Sequence, residues 1–253
     1  MGEMINIDVT GSALPVYLAT PTGEIKGSVI VIHEAWGLSD HIKSVADRYA
    51  EIGYVAVAPN LFTELDIDNM PKNELQAIQE GLFNPASTPE ELNSVQTKVR
   101  GMLTPAHSPE FSKKTLGRIE ACFNYLFEHK DTNQKVATTG FCFGGSNSFS
   151  FAISEPRLKV ALPFYGHAEQ SVDELRKIKC PIYAFYGEKD ENLISALPKL
   201  KEDMKEAGVS FEATVYPNCG HAFFNDTNKY AYNKEAAMDA WQKVQGILAK
   251  YFA

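Results

Sequence analysis

Residues 135–154 read KVATTGFCFGGSNSFSFAIS, and this stretch decides the fold. Its first five residues form a short strand-like run, and the residues from Gly144 onward are predicted to form a helix. Only a few residues separate the two, so the strand must turn directly into the helix. A strand that passes at once into a helix is typical of an α/β protein with a mostly parallel sheet.

The residue at the apex of this turn is Cys142, with Gly140 and Gly144 two positions away on either side. This is the G-x-nucleophile-x-G pattern with cysteine in place of serine, and the glycines are needed because bulkier neighbours would clash in so tight a turn. The start of a helix also favours a thiolate. Cys142 is therefore the candidate nucleophile. The alternative is a buried structural cysteine beside a glycine-rich turn.

Working outward from this unit, strand-like and helix-like segments alternate along the chain. The pattern predicts one α/β domain over residues 1–253, with a mostly parallel central sheet and helices on both faces. The predicted strands cover 4–9, 15–19, 28–33, 54–58, 135–139, 159–164, 181–186 and 211–216, and the predicted helices cover 39–52, 112–130, 144–154, 196–207 and 233–252.

One segment, residues 63–110, breaks the alternation after the second parallel strand. It contains two polar stretches with helical spacing, 72–82 and 89–102, and has three basic and eight acidic residues. Because it holds too few apolar residues for a core of its own, we interpret it as a helical, cap-like insertion over the sheet rather than a second domain.

The composition excludes several classes of protein. The chain has 253 residues and a net charge of −8, with no basic cluster, which argues against a nucleic acid or an anionic membrane as partner. The N-terminal residues resemble no signal peptide, and no apolar run is long enough to span a bilayer. A cytoplasmic protein, monomeric or homodimeric, is expected.

No cofactor or metal is expected either. The four cysteines show no paired C-x-x-C spacing, and no histidine or cysteine pair lies at ligand spacing on one element. The G-x-G-x-x-G pattern of a dinucleotide loop is absent. The predicted partner is a small molecule only.

A base and an orienting acid should follow the nucleophile in the order acid, then histidine. Asp190 lies in GEKD, directly after a predicted strand, although Glu188 and Glu191 compete with it. His221 lies in NCGHAF, after the last predicted strand. The intervals of 48 residues from Cys142 to Asp190 and 31 from Asp190 to His221 let all three reach one rim of the sheet.

The predicted strand 28–33 ends in HEAWG, and the loop after this strand supplies an oxyanion N–H in folds of this kind. The backbone donors would be those of Ala35 and Phe143. Glu34 beside such a site would repel a developing negative charge. From the residues alone, Glu34 either interacts with the resting thiol or is a solvated turn residue.

These motifs together resemble the dienelactone hydrolase family of α/β-hydrolases. The matching segments are HEAWG, APNLF, GFCFGG, PFYG, GEKD and GHAF, in family order over essentially the whole chain. The resemblance implies a triad in which Cys142 attacks an ester or lactone carbonyl, His221 is general base and acid, and Asp190 orients it. It also implies that Glu34 contacts the resting Cys142, so that the thiolate forms fully only when substrate displaces this contact.

Two departures from the family pattern concern the substrate. The enzymes that give the family its name bind a substrate carboxylate with two arginines, but the corresponding positions here are the segment 63–66 (TELD) and Asn225. Neither supplies the guanidinium suited to a carboxylate. A neutral or cationic ester or lactone is therefore expected. Trp36, Tyr165 and Phe223, with Phe143, are the candidate lining of an apolar acyl pocket, although each alone is more often a core residue, because aromatics in these positions also pack the sheet edge.

Two other functions remain open at this point. One is a binding protein that keeps the α/β-hydrolase fold with little or no turnover. The other is cleavage of thioesters, carbamates or phosphotriesters, because the same nucleophile, base and oxyanion donors serve all of these reactions.

Overall fold

A computed structural model describes residues 2–253 and contains one eight-stranded sheet. The strand order is β1-β2-β4-β3-β5-β6-β7-β8, with β1–β2 and β2–β4 antiparallel and all other neighbours parallel. The prediction of a mostly parallel α/β sheet is confirmed. The strands are β1 Glu3–Val9, β2 Ser12–Ala19, β3 Gly27–Ile32, β4 Tyr54–Pro59, β5 Val136–Phe141, β6 Val160–Phe164, β7 Ile182–Gly187 and β8 Phe211–Tyr216.

Helices surround this sheet. They are α1 Asp40–Glu51, α2 Lys72–Phe83, α3 Pro89–Leu103, α4 Pro109–Glu128, α5 Phe143–Ser154, α6 Val172–Leu175, α7 Glu191–Glu206 and α8 Lys234–Phe252, with 3₁₀ turns at Asp66–Asn69, Thr104–His107 and Lys130–Thr132. No helix in residues 2–253 is both long and apolar enough to cross a membrane.

The central strands explain the continuous apolar runs in the sequence. Every residue of β3, β4 and β5 is buried, because helices cover the sheet here and no strand face meets water. The edge strand β8 is only partly buried. Consequently the loops that follow β3 and β5 begin from a rigid base.

Several boundaries differ from the sequence prediction, and two of these differences involve a proline. The helix expected from residue 196 begins at Glu191, because Leu193 in its first turn is buried against the core, and this places Pro198 inside the helix. Pro59 does not end β4 early but is its last residue, paired with Val16 on β2.

The segment between β4 and α4 contains α2, α3 and two 3₁₀ turns. Its beginning is buried at Leu61, Phe62, Leu65 and Ile67, whereas its two α-helices bury few residues. In α2 only Ile78 and Gln79 are buried, and in α3 no residue is buried. Helix α3 begins with a capping box in which Thr88 and Glu91 satisfy each other's backbone N–H groups.

Candidate active site

The turn from β5 to α5 has the strained geometry that its glycines suggested. Cys142 has φ 54° and ψ −111°, a backbone conformation that side chains rarely adopt, and its N–H donates to the carbonyl of Phe164 at 3.0 Å. A Cβ on Gly140 would lie 2.6 Å from Ser148 Oγ, and one on Gly144 would lie 2.7 Å from the carbonyl oxygen of His33. The glycines are therefore required by close packing around the cysteine.

The structure brings His221 and Asp190 together at the same sheet edge. His221 Nδ1 lies 2.5 Å from Asp190 Oδ2, so Nδ1–H donates to the carboxylate, and Nε2 is left for the cysteine sulfur. The two loops meet closely, since the Lys189 N–H donates to the Cys219 carbonyl at 2.7 Å. Of the competing carboxylates, Glu188 instead accepts from the Asn218 N–H at 2.9 Å.

The electrostatics of His221 connect it with Cys142. Burial of the imidazole opposes its positive charge, but the negative charge of the Cys142 thiolate and the hydrogen bond to Asp190 outweigh burial and raise the pKa of His221 to about 10. The other three cysteines are buried, and burial raises the pKa of Cys122 and of Cys180 to about 12. Cys142 is the one partly exposed cysteine in residues 2–253.

Two backbone N–H groups are available as oxyanion donors. Phe143 is the first residue of α5, so its N–H has no acceptor within the helix. The Ala35 N–H makes no backbone hydrogen bond within residues 2–253. His33 holds Glu34, the residue before Ala35, in place. The His33 Nδ1–H donates to the Glu34 carbonyl at 2.6 Å, and the His33 Nε2 accepts from the Leu61 N–H at 3.1 Å. Burial lowers the pKa of His33 to about 4, so the ring is neutral.

Glu34 does not bond to the thiol. Its side chain is fully buried, and its two carboxylate oxygens accept from Tyr165 Oη at 3.1 Å and from Asn225 Nδ2 at 2.6 Å. No hydrogen bond between Glu34 and Cys142 occurs in the described part of the chain. The contact with the resting Cys142 that the family resemblance implies stays a prediction, since each carboxylate oxygen can accept a further hydrogen bond.

A cavity of about 570 Å³ opens at Cys142 and His221. One part of its wall is apolar and another part is polar, and none of the lysines and arginines described in residues 2–253 lines it. The insertion contributes Leu103, Ala106 and His107. The remaining lining residues are Ala35, Phe62, Ser112, Leu116, Phe143, Ser146, Asn147, Ser150, Tyr165, His167, Glu169 and Gln170.

Of the three predicted substrate-binding aromatics, Tyr165 lines this cavity, and its ring centroid lies 4.9 Å from that of His221. Trp36 and Phe223 lie elsewhere. Trp36 lines a separate cavity of about 220 Å³ against α2, and Phe223 is fully buried beneath Tyr165 and Phe164. Trp36 and Phe223 therefore fill space around the site at the sheet edge and do not line its cavity.

A guanidinium does lie near the segment 63–66, although the sequence analysis found none there. Arg118 on α4 donates to the Leu61 carbonyl at 2.8 Å and to Thr63 Oγ1 at 3.0 Å, and it forms an ion pair with Glu64. The side chain of Arg118 is only 9% exposed and does not line the cavity. Its charge is neutralised within the fold and is not available to a substrate carboxylate.

Sequence reasoning also missed what Asn225 does. It was noted only as a missing arginine, whereas its amide binds Glu34 directly. No local pattern announces this contact, because the two residues are 191 positions apart. The polar wall formed by Ser146, Asn147 and Ser150 could have been found from their spacing on α5, since residues 3 or 4 apart share one helix face.

Known proteins resemble this chain over nearly its whole length. The model of the dienelactone hydrolase family matches residues 14–252. A relative from Saccharolobus solfataricus, provisionally named carboxymethylenebutenolidase, is 33% identical over 261 residues, and the match covers 99% of both chains.

Solved structures give the same result. A crystal structure of a provisionally named dienelactone hydrolase from Klebsiella pneumoniae is 25% identical, with a TM-score of 0.77 and 99% coverage of both chains. A dienelactone hydrolase-like promiscuous phosphotriesterase, P91 from metagenomic libraries, shares the fold at 16% identity, with a TM-score of 0.74 and coverage of 100% of this chain and 99% of its own. The resemblance seen in the sequence is confirmed, and the chain belongs to the dienelactone hydrolase family.

Proposed function

We propose that this protein hydrolyses small, uncharged or cationic esters or lactones through a cysteine acyl-enzyme. The observation that carries the proposal is the position of His221, which is hydrogen-bonded to Asp190 and lines the same cavity as Cys142. The combination of nucleophile, base and orienting carboxylate is the arrangement required for covalent acyl transfer.

The reaction follows from these roles. The Cys142 thiolate attacks the carbonyl carbon, and the resulting oxyanion accepts hydrogen bonds from the N–H groups of Ala35 and Phe143. Collapse of this intermediate breaks the bond to the leaving oxygen, which takes a proton from the His221 imidazolium and departs as an alcohol. In the second half, His221 removes a proton from water, the hydroxide attacks the thioester carbonyl, and the thiolate is released with the acid.

The cavity supports an uncharged substrate. It offers no lysine or arginine to a carboxylate, and Glu169 on its wall repels anions. Phe62, Leu103, Leu116 and Phe143 supply apolar surface near the nucleophile. An acyl group of moderate size, aliphatic or aromatic, suits such a wall, because its burial is favourable at about 25 cal/mol per Å².

The test is hydrolysis of a short-chain aryl ester by the wild type and by Cys142→Ala. We expect a loss in kcat of about 10⁴-fold or more, since the covalent route is removed. Cys219→Ala is the matched control, because Cys219 lies two residues from His221 but is buried, and it should retain activity within about threefold. Equal rates in wild type and Cys142→Ala would end the proposal.

The second candidate is a binding protein of the same fold without turnover. No contact described in residues 2–253 favours it, whereas the hydrogen bond between Asp190 and His221 supports the hydrolase. It would gain support if the wild type hydrolysed no aryl ester or thioester while His221→Ala still bound the acid product with unchanged affinity.

A further inference from the structure

One side of the cavity of about 570 Å³ is formed by α5 and by a segment that runs along this helix. The segment, residues 167–170, follows β6 and contacts α5 twice. The His167 N–H donates to Ser146 Oγ at 2.9 Å, and Gln170 Nε2 donates to Ser150 Oγ at 3.1 Å. Because the two serines are four residues apart, they lie on one face of the helix. The segment therefore follows α5 away from the candidate nucleophile, which lies directly before the helix.

The helix also gives the distance along this side of the cavity. Ser146 and Ser150 lie four and eight residues after Cys142, so a rise of 1.5 Å per residue places them about 6 and 12 Å along the helix axis from the nucleophile. A substrate group that contacts the segment 167–170 is therefore about one to two helical turns away from the carbonyl that Cys142 attacks.

The orientation of the Gln170 amide is determined by its partner. Ser150 Oγ donates its own hydrogen to the Ser146 carbonyl at 3.3 Å, so it is the acceptor for Gln170 Nε2. Gln170 Oε1 is left as an acceptor, and this atom is buried without a hydrogen-bond donor in residues 2–253. An unpaired buried carbonyl costs free energy, and a donor group of a substrate would recover that cost.

The neighbouring residue adds a negative charge. Glu169 is exposed and lines the same cavity, and its carboxylate forms no hydrogen bond or ion pair within the described chain, residues 2–253. Lys199 shares an adjoining cavity of about 400 Å³ with Glu169, but it donates to both carboxylate oxygens of Asp203, at 2.7 and 2.9 Å. The other titratable side chains of the catalytic cavity, outside the candidate triad, are His107 and His167, and an ordinary imidazole is neutral at a pH of about 8. A free carboxylate beside an unpaired carbonyl favours a positively charged donor.

We propose that Glu169 and Gln170 bind an ammonium group, and that the substrate is an ester or lactone that carries this group about 6–12 Å from its carbonyl. The inference rests on the proposed function for the ester chemistry, and it narrows the substrate from an uncharged or cationic compound to a cationic one. An ammonium group has three donor hydrogens, so it can contact the Gln170 carbonyl and the Glu169 carboxylate together.

The first test compares three phenyl butyrates that differ only in the para substituent, which is aminomethyl, ethyl or carboxymethyl. The apolar side of the cavity takes the butyryl group, and the para substituent reaches the segment 167–170. At a pH of about 8, we expect kcat/KM for the aminomethyl ester to exceed that for the ethyl ester by about three- to tenfold, because the added hydrogen bonds are charge-assisted. The carboxymethyl ester should be the poorest of the three, since Glu169 repels it.

Two variants assign this preference to the proposed residues. In Glu169→Gln and in Gln170→Leu, the ratio of kcat/KM between the aminomethyl and ethyl esters should fall to less than about twofold, because one acceptor or the charge is lost. Glu202→Gln is the matched control, since it removes an exposed carboxylate on α7 outside the cavity and should leave the ratio unchanged. Equal kcat/KM for the three esters in the wild type, or a preference that survives in both cavity variants, would overturn the inference.

A second measurement needs no ester turnover and so separates this inference from the proposed function. Benzylammonium, benzyl alcohol and phenylacetate are compared as protectants of Cys142 against alkylation by iodoacetamide, followed by intact mass and peptide mapping. Benzylammonium should protect at a concentration at least about threefold lower than phenylacetate, and this difference should disappear in Glu169→Gln. If the wild type hydrolyses no ester and benzylammonium still protects, the proposed function fails and the ammonium site stands. Ester hydrolysis with equal protection, or none, by the three compounds would overturn the inference alone.

Discussion

The two sides of the cavity are built in different ways. The rim that carries Cys142, Asp190 and His221 is made of loops that follow parallel strands, and backbone approaches backbone there so closely that several positions admit only glycine. The opposite side comes from the insertion, where α3 has no buried residue and contributes Leu103 near its end.

This difference teaches which parts of the site tolerate change. At the rim, a single added methyl group would displace the reacting atoms, because the close-packed backbone leaves no room for it. In the insertion, side chains can be exchanged with small effects on folding, since few apolar contacts are lost. We therefore propose that the strand loops fix the chemistry and that the more adjustable helices of the insertion set substrate selection.

The largest effect should come from adding one methyl group to the rim. In Gly144→Ala the new Cβ would lie 2.7 Å from the His33 carbonyl oxygen, and we expect the free energy of unfolding to fall by about 3 kcal/mol or more, or no folded protein. Gly117→Ala on α4 is the matched control. Nothing lies within 4 Å of its Cβ, so urea unfolding should show a gain of up to about 1 kcal/mol.

Removing the charge of Asp190 should be next in size. In Asp190→Asn the imidazole loses the carboxylate that fixes its tautomer, and kcat for an aryl ester should fall by about 10³- to 10⁴-fold with the fold intact. Glu191→Gln removes an exposed neighbouring carboxylate in the first turn of α7 and should change kcat by less than threefold. Equal losses in the two variants would show that local charge, not the hydrogen bond, is what matters.

The titration of His221 should depend on Cys142. In the wild type the pKa of about 10 means that the imidazole remains protonated through neutral pH and loses its proton only as the pH rises toward 10. In Cys142→Ala the thiolate is gone while burial still opposes the charge, so deprotonation should move to lower pH. NMR of the ring protons across the pH range measures both. An unchanged midpoint would mean that the two groups do not interact.

The smallest effect is expected in the insertion. Leu103→Ala should raise KM for an ester with a bulky acyl group by about three- to tenfold, because apolar contact with that group is lost, while kcat and stability change little. Val99→Ala, also on α3 but outside the cavity wall, should leave KM within twofold. A larger effect of Leu103→Ala on kcat than on KM would place the insertion in the chemistry.

The position of the rim loops could be inferred from the sequence because the signals are local. A cysteine flanked by glycines between a strand and a helix requires a tight turn, and the strand ends that carry Asp190 and His221 must meet at one sheet edge. The alternation of apolar runs likewise indicated the parallel sheet, because a strand that is buried on both faces has apolar residues at nearly every position.

Other features could not be predicted, for physical reasons. The Glu34–Asn225 contact joins residues that are distant in the chain, and it depends on amide orientation, which no spacing encodes. Trp36 and Phe223 were assigned to the acyl pocket, but an aromatic at a sheet edge packs inward or outward according to tertiary contacts alone. The contact of Arg118 on α4 with the segment 63–66 likewise depends on tertiary structure alone.

The central claim, that Cys142 forms the covalent intermediate, is tested most directly by rapid acid quenching of the wild type with an aryl ester, followed by intact mass and peptide mapping. The account predicts one acyl group on the peptide that contains Cys142, released with time in the wild type and persisting longer in His221→Ala. Steady ester hydrolysis with no adduct at any time, or an adduct on Cys219, would contradict it.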